Sequence, residues 1–356
     1  MDDKILRNLS SNVLEQVKKE LNPDFIKELP CSVDELFQYA KRRVDPVISS
    51  NISFPLGQSM LSHRLSDKDY FLCFLKIVHT SFQGKKTSDN KIASIIVAQT
   101  GAGKTNLRTL ILKNEDSVII NPDLYKKFRP DVEQIMEEDP THFGALTGID
   151  SYDHSNNIRD LAAEKGYNLL FECAPSEELG LIGIDLEELK KHNYSINSKI
   201  LAVGDLISSI AIHNRYEEAP ENPNVKLTDI RRHDESYRAT AGVINELSNY
   251  NVQIFRRGTE EENFVPQELT DSSHTYSLNE FLKILNDERE KSNYEYVFEN
   301  NGRSFQEDYN RIKASMLKRG APECQIEQIT EIYNKYVTYL NYIKYKDKIG
   351  NSIDDT

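Results

Sequence analysis

The sequence predicts an α/β fold in which a parallel sheet is flanked by helices, with helical regions before and after it. Three observations carry this expectation. Short apolar runs recur at Ile92–Val97, Ser117–Ile120, Tyr167–Phe171, Lys199–Val203 and Val252–Phe255. Stretches with helical spacing separate them, and strands alternating with helices build a parallel sheet. The first run also passes directly into Gln99-Thr-Gly-Ala-Gly-Lys-Thr105, where small residues and glycines turn the chain into a helix whose apolar face is Leu107, Leu110 and Ile111.

Residues 1–88 carry helical spacing in Ile5, Leu9, Val13, Leu14 and Val17, then in Leu36, Phe37 and Ala40, then in Phe71, Phe74, Leu75 and Val78. Pro23, Pro30, Pro46 and Pro55 punctuate them. The polar run Gly84–Asn90 marks a boundary before the first strand. The second strand ends on Asn121-Pro-Asp123, with Phe128-Arg129-Pro130 downstream. Helices over 131–138 and 155–165 lead to the third strand, whose edge carries Glu172. A helix over 186–192 precedes the fourth strand, and a helix over 206–216 follows it with Arg215 at its end. After a stretch rich in Pro, Asn and Glu at 219–225 comes a helix over 234–247 and the fifth strand. Helical periodicity with many tyrosines then runs from Leu278 to Tyr345. The expected division is 1–88 helical, 89–265 α/β and 266–356 helical.

Composition narrows the function. At 356 residues, 38% hydrophobic and 28% charged, the chain has the proportions of a globular protein of one large or two moderate domains. A net charge of −13 works against general nucleic-acid binding, which needs clustered Lys and Arg. The four cysteines lack CxxC spacing, so reduced thiols are expected in place of a disulfide scaffold or a zinc site. The start, Met1-Asp-Asp-Lys-Ile5, is polar with no apolar h-region behind it, and no apolar run approaches the roughly 20 residues that span a bilayer. The expected setting is cytoplasmic, with no membrane association; secretion without a cleaved signal stays open.

The chemistry centres on the glycine loop. Gly101 and Gly103 let backbone N–H groups turn inward around phosphate oxygens, and the positive end of the following helix points at them. Lys104 would reach the β- and γ-phosphates and the Thr105 hydroxyl would ligate Mg²⁺, with Thr100, Gly101, Ala102, Gly103 and Asn106 completing the nucleotide-contacting run. Ala98 stands where the full pattern has its first glycine, a replacement that works while φ stays negative.

Three carboxylates compete for the second site. Asp123, just past a strand, suits a base that takes a proton from a hydroxyl, or a metal-holding group, or a helix cap. Glu172 suits a substrate hydroxyl or a surface loop, and Asp205 resembles the acidic end of a Walker B strand but more often has a structural role there. Arg215, Lys226, Arg231 and Arg232 bracket the irregular 217–233 segment, which has the character of a lid bringing positive charge to a transferring phosphoryl group. His154 and His233 have no partners at metal-ligand spacing and are assigned no metal.

In this order the pieces resemble the zeta-toxin family of toxin–antitoxin kinases over about 92–258. The matching residues are Gln99–Thr105 with Leu107-Arg108, Ile119–Asp123 with Phe128-Arg129-Pro130, and Gly166–Glu172, then Arg215-Tyr-Glu217, His233-Asp234 and Arg256-Arg-Gly258. The resemblance implies a P-loop kinase core that uses ATP and Mg²⁺ to phosphorylate the 3′-hydroxyl of the sugar in UDP-N-acetylglucosamine. It assigns the base to Asp123, acceptor contacts to Glu172 and Arg129, and phosphate contacts to Lys104 and Arg215. The second lid cation falls to Lys226, with Arg231 and Arg232 as alternatives. It also brings an antitoxin or inhibitory protein into view as a partner. The chain departs from the family at Cys173-Ala-Pro-Ser176, where Gly-Thr and an arginine are common, and at Asn121, where an aspartate is common. The expected function is therefore an ATP-dependent small-molecule kinase acting on a nucleotide sugar. Its rivals are a kinase of a dinucleotide or antibiotic, a polynucleotide-end kinase, and a nucleotide-binding interaction protein.

Overall fold

A computed structural model describes residues 6–44, 46, 52–140, 142–219, 227–298 and 304–353, with side chains described as far as Lys346. The N-terminal part consists of β1 (Leu6–Asn8), α1 (Ser11–Glu20), α2 (Pro23–Lys27), α3 (Val33–Tyr39), β2 (Lys41–Arg43), α4 (Phe54–Ser62) and α5 (Asp67–Phe82). Ser32 and Ser66 start α3 and α5 by accepting hydrogen bonds from the backbone N–H of Glu35 and Asp69. The helical expectation for this region holds with one correction: β1 and β2 pair as a small antiparallel sheet. Side-chain charge explains the extended backbone at β2. Arg42 bonds to Asp67 at 2.7 Å and Asp150 at 2.9 Å, while Arg43 pairs with Asp153 and also donates its backbone N–H to that carboxylate. Ile5 lies outside the described residues.

The central part runs β3 (Ile92–Val97), α6 (Lys104–Leu112), β4 (Ser117–Ile120), α7 (Pro122–Tyr125), a 3-10 turn at Lys126–Phe128, α8 (Val132–Glu138), α9 (Phe143–Leu146) and α10 (Gly148–Lys165). It continues through β5 (Asn168–Cys173), α11 (Leu186–Lys191), β6 (Ser195–Ala202), α12 (Asp205–Glu218), α13 (Ile230–Leu247), β7 (Asn251–Arg256) and β8 (Gln267–Glu268). Three C-terminal helices follow: α14 (Leu278–Phe298), α15 (Phe305–Arg319) and α16 (Glu323–Ile353).

The six-stranded sheet has the order β4-β5-β3-β6-β7-β8, all parallel except β8, which pairs antiparallel with β7. Residues Ala93–Val97 of β3 are wholly buried, as expected of a parallel strand covered on both faces. From β3 the chain goes first to one side of the sheet and then to the other. That reversal opens a crevice at the carboxyl ends of β3, β4 and β5.

The expected helix at 155–165 begins earlier, at Gly148. Its first turns gave no apolar period because their buried face is polar: Asp150, Ser151, Asp153, His154, Ser155 and Asn157 are all enclosed. The carboxylates among them receive the N-terminal arginines, so burial here is satisfied by ion pairs. Strand β6 and helix α13 also begin about a turn before the expected starts, and β8 was not foreseen.

The flanking helices brace different sides of the crevice. Helix α5 packs on β4, α10 and the 3-10 turn, and α4 packs on α9 and α10. Helix α14 covers α12, α13, β6 and β7, while α15 and α16 pack on α12. The latter contact is an apolar cluster in which Leu206, Ile210 and Ile230 meet Phe305, Ile312, Met316, Ile329 and Ile332. No helix among the described residues is long and apolar enough to cross a membrane.

Candidate nucleotide and acceptor site

One wall of the crevice is the loop between β3 and α6. Ala98 continues the sheet, donating its N–H to Cys173 O at 3.1 Å. It is not among the non-glycine residues with positive φ, so alanine serves at that position. Gly101 and Gly103 take the left-handed region, with φ of +80° and +98°. Gly101 lies so close to α12 that a Cβ would stand 2.0 Å from Ser208 O, whereas a Cβ on Gly103 would meet nothing within 4 Å. The loop is thus pressed against α12 on one side and open on the other.

Lys104 starts α6, and its ammonium curls back over the loop, donating to Ala98 O at 2.8 Å and Gln99 O at 2.9 Å. Among the described residues no side chain caps the N-terminus of α6, whose first turn carries the exposed Thr105 and Asn106. Uncapped N–H groups beside left-handed glycines and a lysine fit the phosphates of ATP. Thr100–Asn106 would hold them, with the Thr105 hydroxyl as the protein's ligand to Mg²⁺; no group of three potential metal-binding acids, histidines or cysteines is gathered among the described residues. Bound ATP and Mg²⁺ supply the phosphoryl group and the neutralisation of its charge.

Past β4 lies α7, packed on α10, while α12 runs directly against the loop. Asn121 caps α7 by accepting from Asp123 N at 2.9 Å, and Pro122 fits the first turn, so Asp123 is held just past β4. Its half-exposed carboxylate pairs with Lys126 Nζ at 2.8 Å. Lys126 is buried and also donates to Gly144 O at 3.1 Å. Arg215, near the end of α12, is an exposed residue. The protein crowded around it lowers its pKa, and the Asp123 carboxylate works in the opposite sense.

Two further residues join the walls. Burial pushes the Tyr152 phenol far above its ordinary value, with Asp123 and Cys173 adding to the rise and Arg232 and Arg43 opposing it. Burial likewise pushes the Cys173 thiol up to about 11, and Lys104 is the foremost charge opposing it. Lys104 follows β3, Cys173 ends β5 and Asp123 lies just past β4, so the three stand at the carboxyl ends of adjacent parallel strands. Lys126 and Tyr152 were missed from the sequence. Lys126 had a signal, standing one helical turn after Asp123; Tyr152 had none, because only the packing of α10 brings it in.

The remaining candidates have the following surroundings. Glu172 is paired with Arg108 of α6, both largely enclosed. Arg129 is buried and spends its guanidinium on Asp131, on Asp150 at 3.1 Å and on His63 O at 2.7 Å, which fastens the N-terminal helices to the core. Arg231 is exposed and bonded to Asp229. Arg232 donates to Ala174 O at 2.6 Å and Pro175 O at 2.8 Å, tying α13 to the Cys173–Ser176 loop. Lys226 and the rest of 220–226 lie outside the described residues. Asp205 accepts from Asn293 at 2.7 Å at the start of α12. His154 stacks on Tyr70 at 4.1 Å and His233 is buried between Ser208 and Asp234. All four cysteines are free thiols.

A mostly parallel sheet with a phosphate loop after its central strand defines the class as a P-loop kinase fold. The zeta toxin family profile matches residues 78–266, more than half of the chain, and the protein belongs to that family. In fold it is similar to a solved chain of the PezAT chromosomal toxin–antitoxin system of Streptococcus pneumoniae, with a TM-score of 0.53 at 19% identity over 72% of this chain and 98% of that one. A chain of the AvrRxo1-ORF1:-ORF2 complex aligns with a TM-score of 0.40 at 12% identity over 79% of this chain and 82% of that one, too distant to bear on the function. No curated protein matches in sequence.

Proposed function

We propose that the protein is an ATP-dependent phosphotransferase that phosphorylates a hydroxyl of a nucleotide sugar of the UDP-N-acetylglucosamine type. The observation that supports this reading is the position of Asp123, just past β4, at the same carboxyl edge of the sheet as the Lys104 loop that follows β3. A carboxylate there accepts the proton of an acceptor hydroxyl. Lys104 and Arg215 hold and neutralise phosphate, and Lys126 keeps the Asp123 carboxylate aimed. Glu172, steadied by Arg108, would orient the acceptor sugar. The Cys173–Ser176 loop, fastened by Arg232, differs from the family at the place expected to line the sugar pocket; this favours a relative of UDP-N-acetylglucosamine over that molecule itself. An inhibitory protein partner belongs to the proposal, in keeping with a fold shared with a toxin–antitoxin component.

The test is incubation with γ-labelled ATP, Mg²⁺ and a panel of UDP-sugars, dinucleotides, aminoglycosides and 5′-hydroxyl oligonucleotides, followed by identification of the labelled product. Label on a nucleotide sugar, lost in Lys104→Ala, is the expected result. Label confined to oligonucleotides, or slow ATP turnover that no acceptor stimulates, would overturn the reading.

A further inference from the structure

A chain of polar side chains runs from the back of the phosphate loop to the C-terminal helix α16, and phosphoryl transfer makes no direct use of it. Gln99, wholly buried behind the loop, donates through Nε2 to Val203 O at 2.8 Å and to Ser208 Oγ at 3.1 Å. Ser208 Oγ lies 2.8 Å from His233 Nε2, and His233 Nδ1 lies 2.9 Å from Asp234 Oδ1. Ser208 and His233 are fully enclosed. A carboxylate can only accept, so the hydrogen on this side of the ring belongs to Nδ1. Asp234 in turn receives Lys335 Nζ on both of its oxygens. Burial acts to raise the Asp234 carboxyl, but His233 and Lys335 together bring it below the ordinary range, so it faces Lys335 as an anion.

The loop leans on the helix that this chain passes through. Gly101 packs against the backbone of Ser208 with no room for a methyl group. That helix, α12, is also gripped at both ends from the C-terminal part. Ser292 accepts from Gly204 N at 2.9 Å and Asn293 holds Asp205, while Arg311 holds Asn214 at 2.7 Å and Arg319 grips Glu217 at 2.7 and 3.0 Å. Between these grips the polar chain is the link from α16 to the loop itself. A buried network of this kind holds its members in one arrangement when every partner is present, and loosens along its length when one is removed.

We propose that Lys335 is a positioning residue for nucleotide binding. From α16 it sets, through Asp234, His233 and Ser208, the placement of Gln99 and hence of the phosphate-loop backbone. Lys335 lies beyond the residues matched by the family profile, so this is a contribution of the C-terminal helices to the kinase site. The inference rests on the reading of Thr100–Asn106 as a nucleotide site.

The test uses the full chain and measures affinity for a fluorescent ATP analogue, kcat at saturating ATP, and Tm. Lys335→Ala is expected to weaken nucleotide binding by roughly 5-fold with kcat little changed, and Lys335→Arg to restore it. Ser208→Ala is expected to weaken binding similarly, and the double variant to be no weaker than either single one, because members of one network are not additive. Should Lys335→Ala fail to fold, Lys335→Gln carries the same comparison. Unchanged affinity in the Lys335 variants, with or without a lower Tm, reduces Lys335 to a surface brace and overturns the proposal; so do effects that simply add. Lys104→Ala separates the two levels. If it binds nucleotide normally, the phosphate-loop reading falls as well; if it loses binding while the Lys335 variants keep it, only the positioning role falls.

Discussion

Replacing Asp123 by asparagine tests the acceptor side of the site with little disturbance to the rest. Asparagine keeps the size of the side chain and, like aspartate, suits the first turn of a helix, and the cap from Asn121 Oδ1 to the backbone N–H of residue 123 is independent of the side chain. The substitution weakens the 2.8 Å ion pair with Lys126. Its carboxylate is half exposed, which limits such a pair to about 1 kcal/mol or less. The amide oxygen still offers Lys126 an acceptor, and Gly144 O remains bonded to it. A loss of that size moves Tm by no more than about 2–4 °C in a chain of this length. Loss of a general base, by contrast, costs about 10²–10⁴-fold in rate. The expected result for Asp123→Asn is a kcat lower by that factor, with ATP affinity and Tm nearly unchanged, measured by label transfer, ATP-analogue titration and thermal melting. A variant that turns over within about threefold of the parent, far inside the range for a general base, would show Asp123 to be a turn residue and move the search for the base to Glu172 or Asp205.

Gly101→Ala should fold but bind ATP at least about tenfold more weakly, because the left-handed φ costs an alanine about 1–2 kcal/mol and its Cβ would press on Ser208 O from 2.0 Å; unaltered affinity would contradict the close contact between loop and α12. Acid should destabilise the protein through its buried histidines. Burial brings His154 from its ordinary 6.5 to about 3 and His213 to about 4, so the unfolded chain binds more protons than the folded one below pH 6.5. The stability these groups contribute is complete above that pH and is lost progressively as the pH falls toward 4. Among the described residues neither ring nitrogen of His154 has a hydrogen-bond partner, and the ring stacks on Tyr70, so His154→Phe should keep the stack and make the fall of Tm between pH 6.5 and 4 shallower. An identical slope in the two proteins would refute that account.

The sequence by itself determined the five parallel strands of the α/β part, the loop after the first of them, and the presence of Asp123 just past the second strand. These are local properties. Apolar runs of strand length, left-handed glycines and a capped first turn act through neighbours in the chain and leave a readable pattern. The start of α10 left none, because its enclosed face is polar and its partners include Arg42 and Arg43, more than a hundred residues away. Tertiary structure alone decided what the charged candidates do. It sent Arg129 into the network that fastens the N-terminal helices, paired Glu172 with Arg108, and tied Arg232 to the Cys173–Ser176 loop. It also carried a lysine of α16 to a histidine–aspartate pair behind the loop. An arginine or lysine looks the same in sequence whether it meets a substrate phosphate or a buried carboxylate; which it meets depends on the elements that packing sets beside it, and burial makes that pairing obligatory.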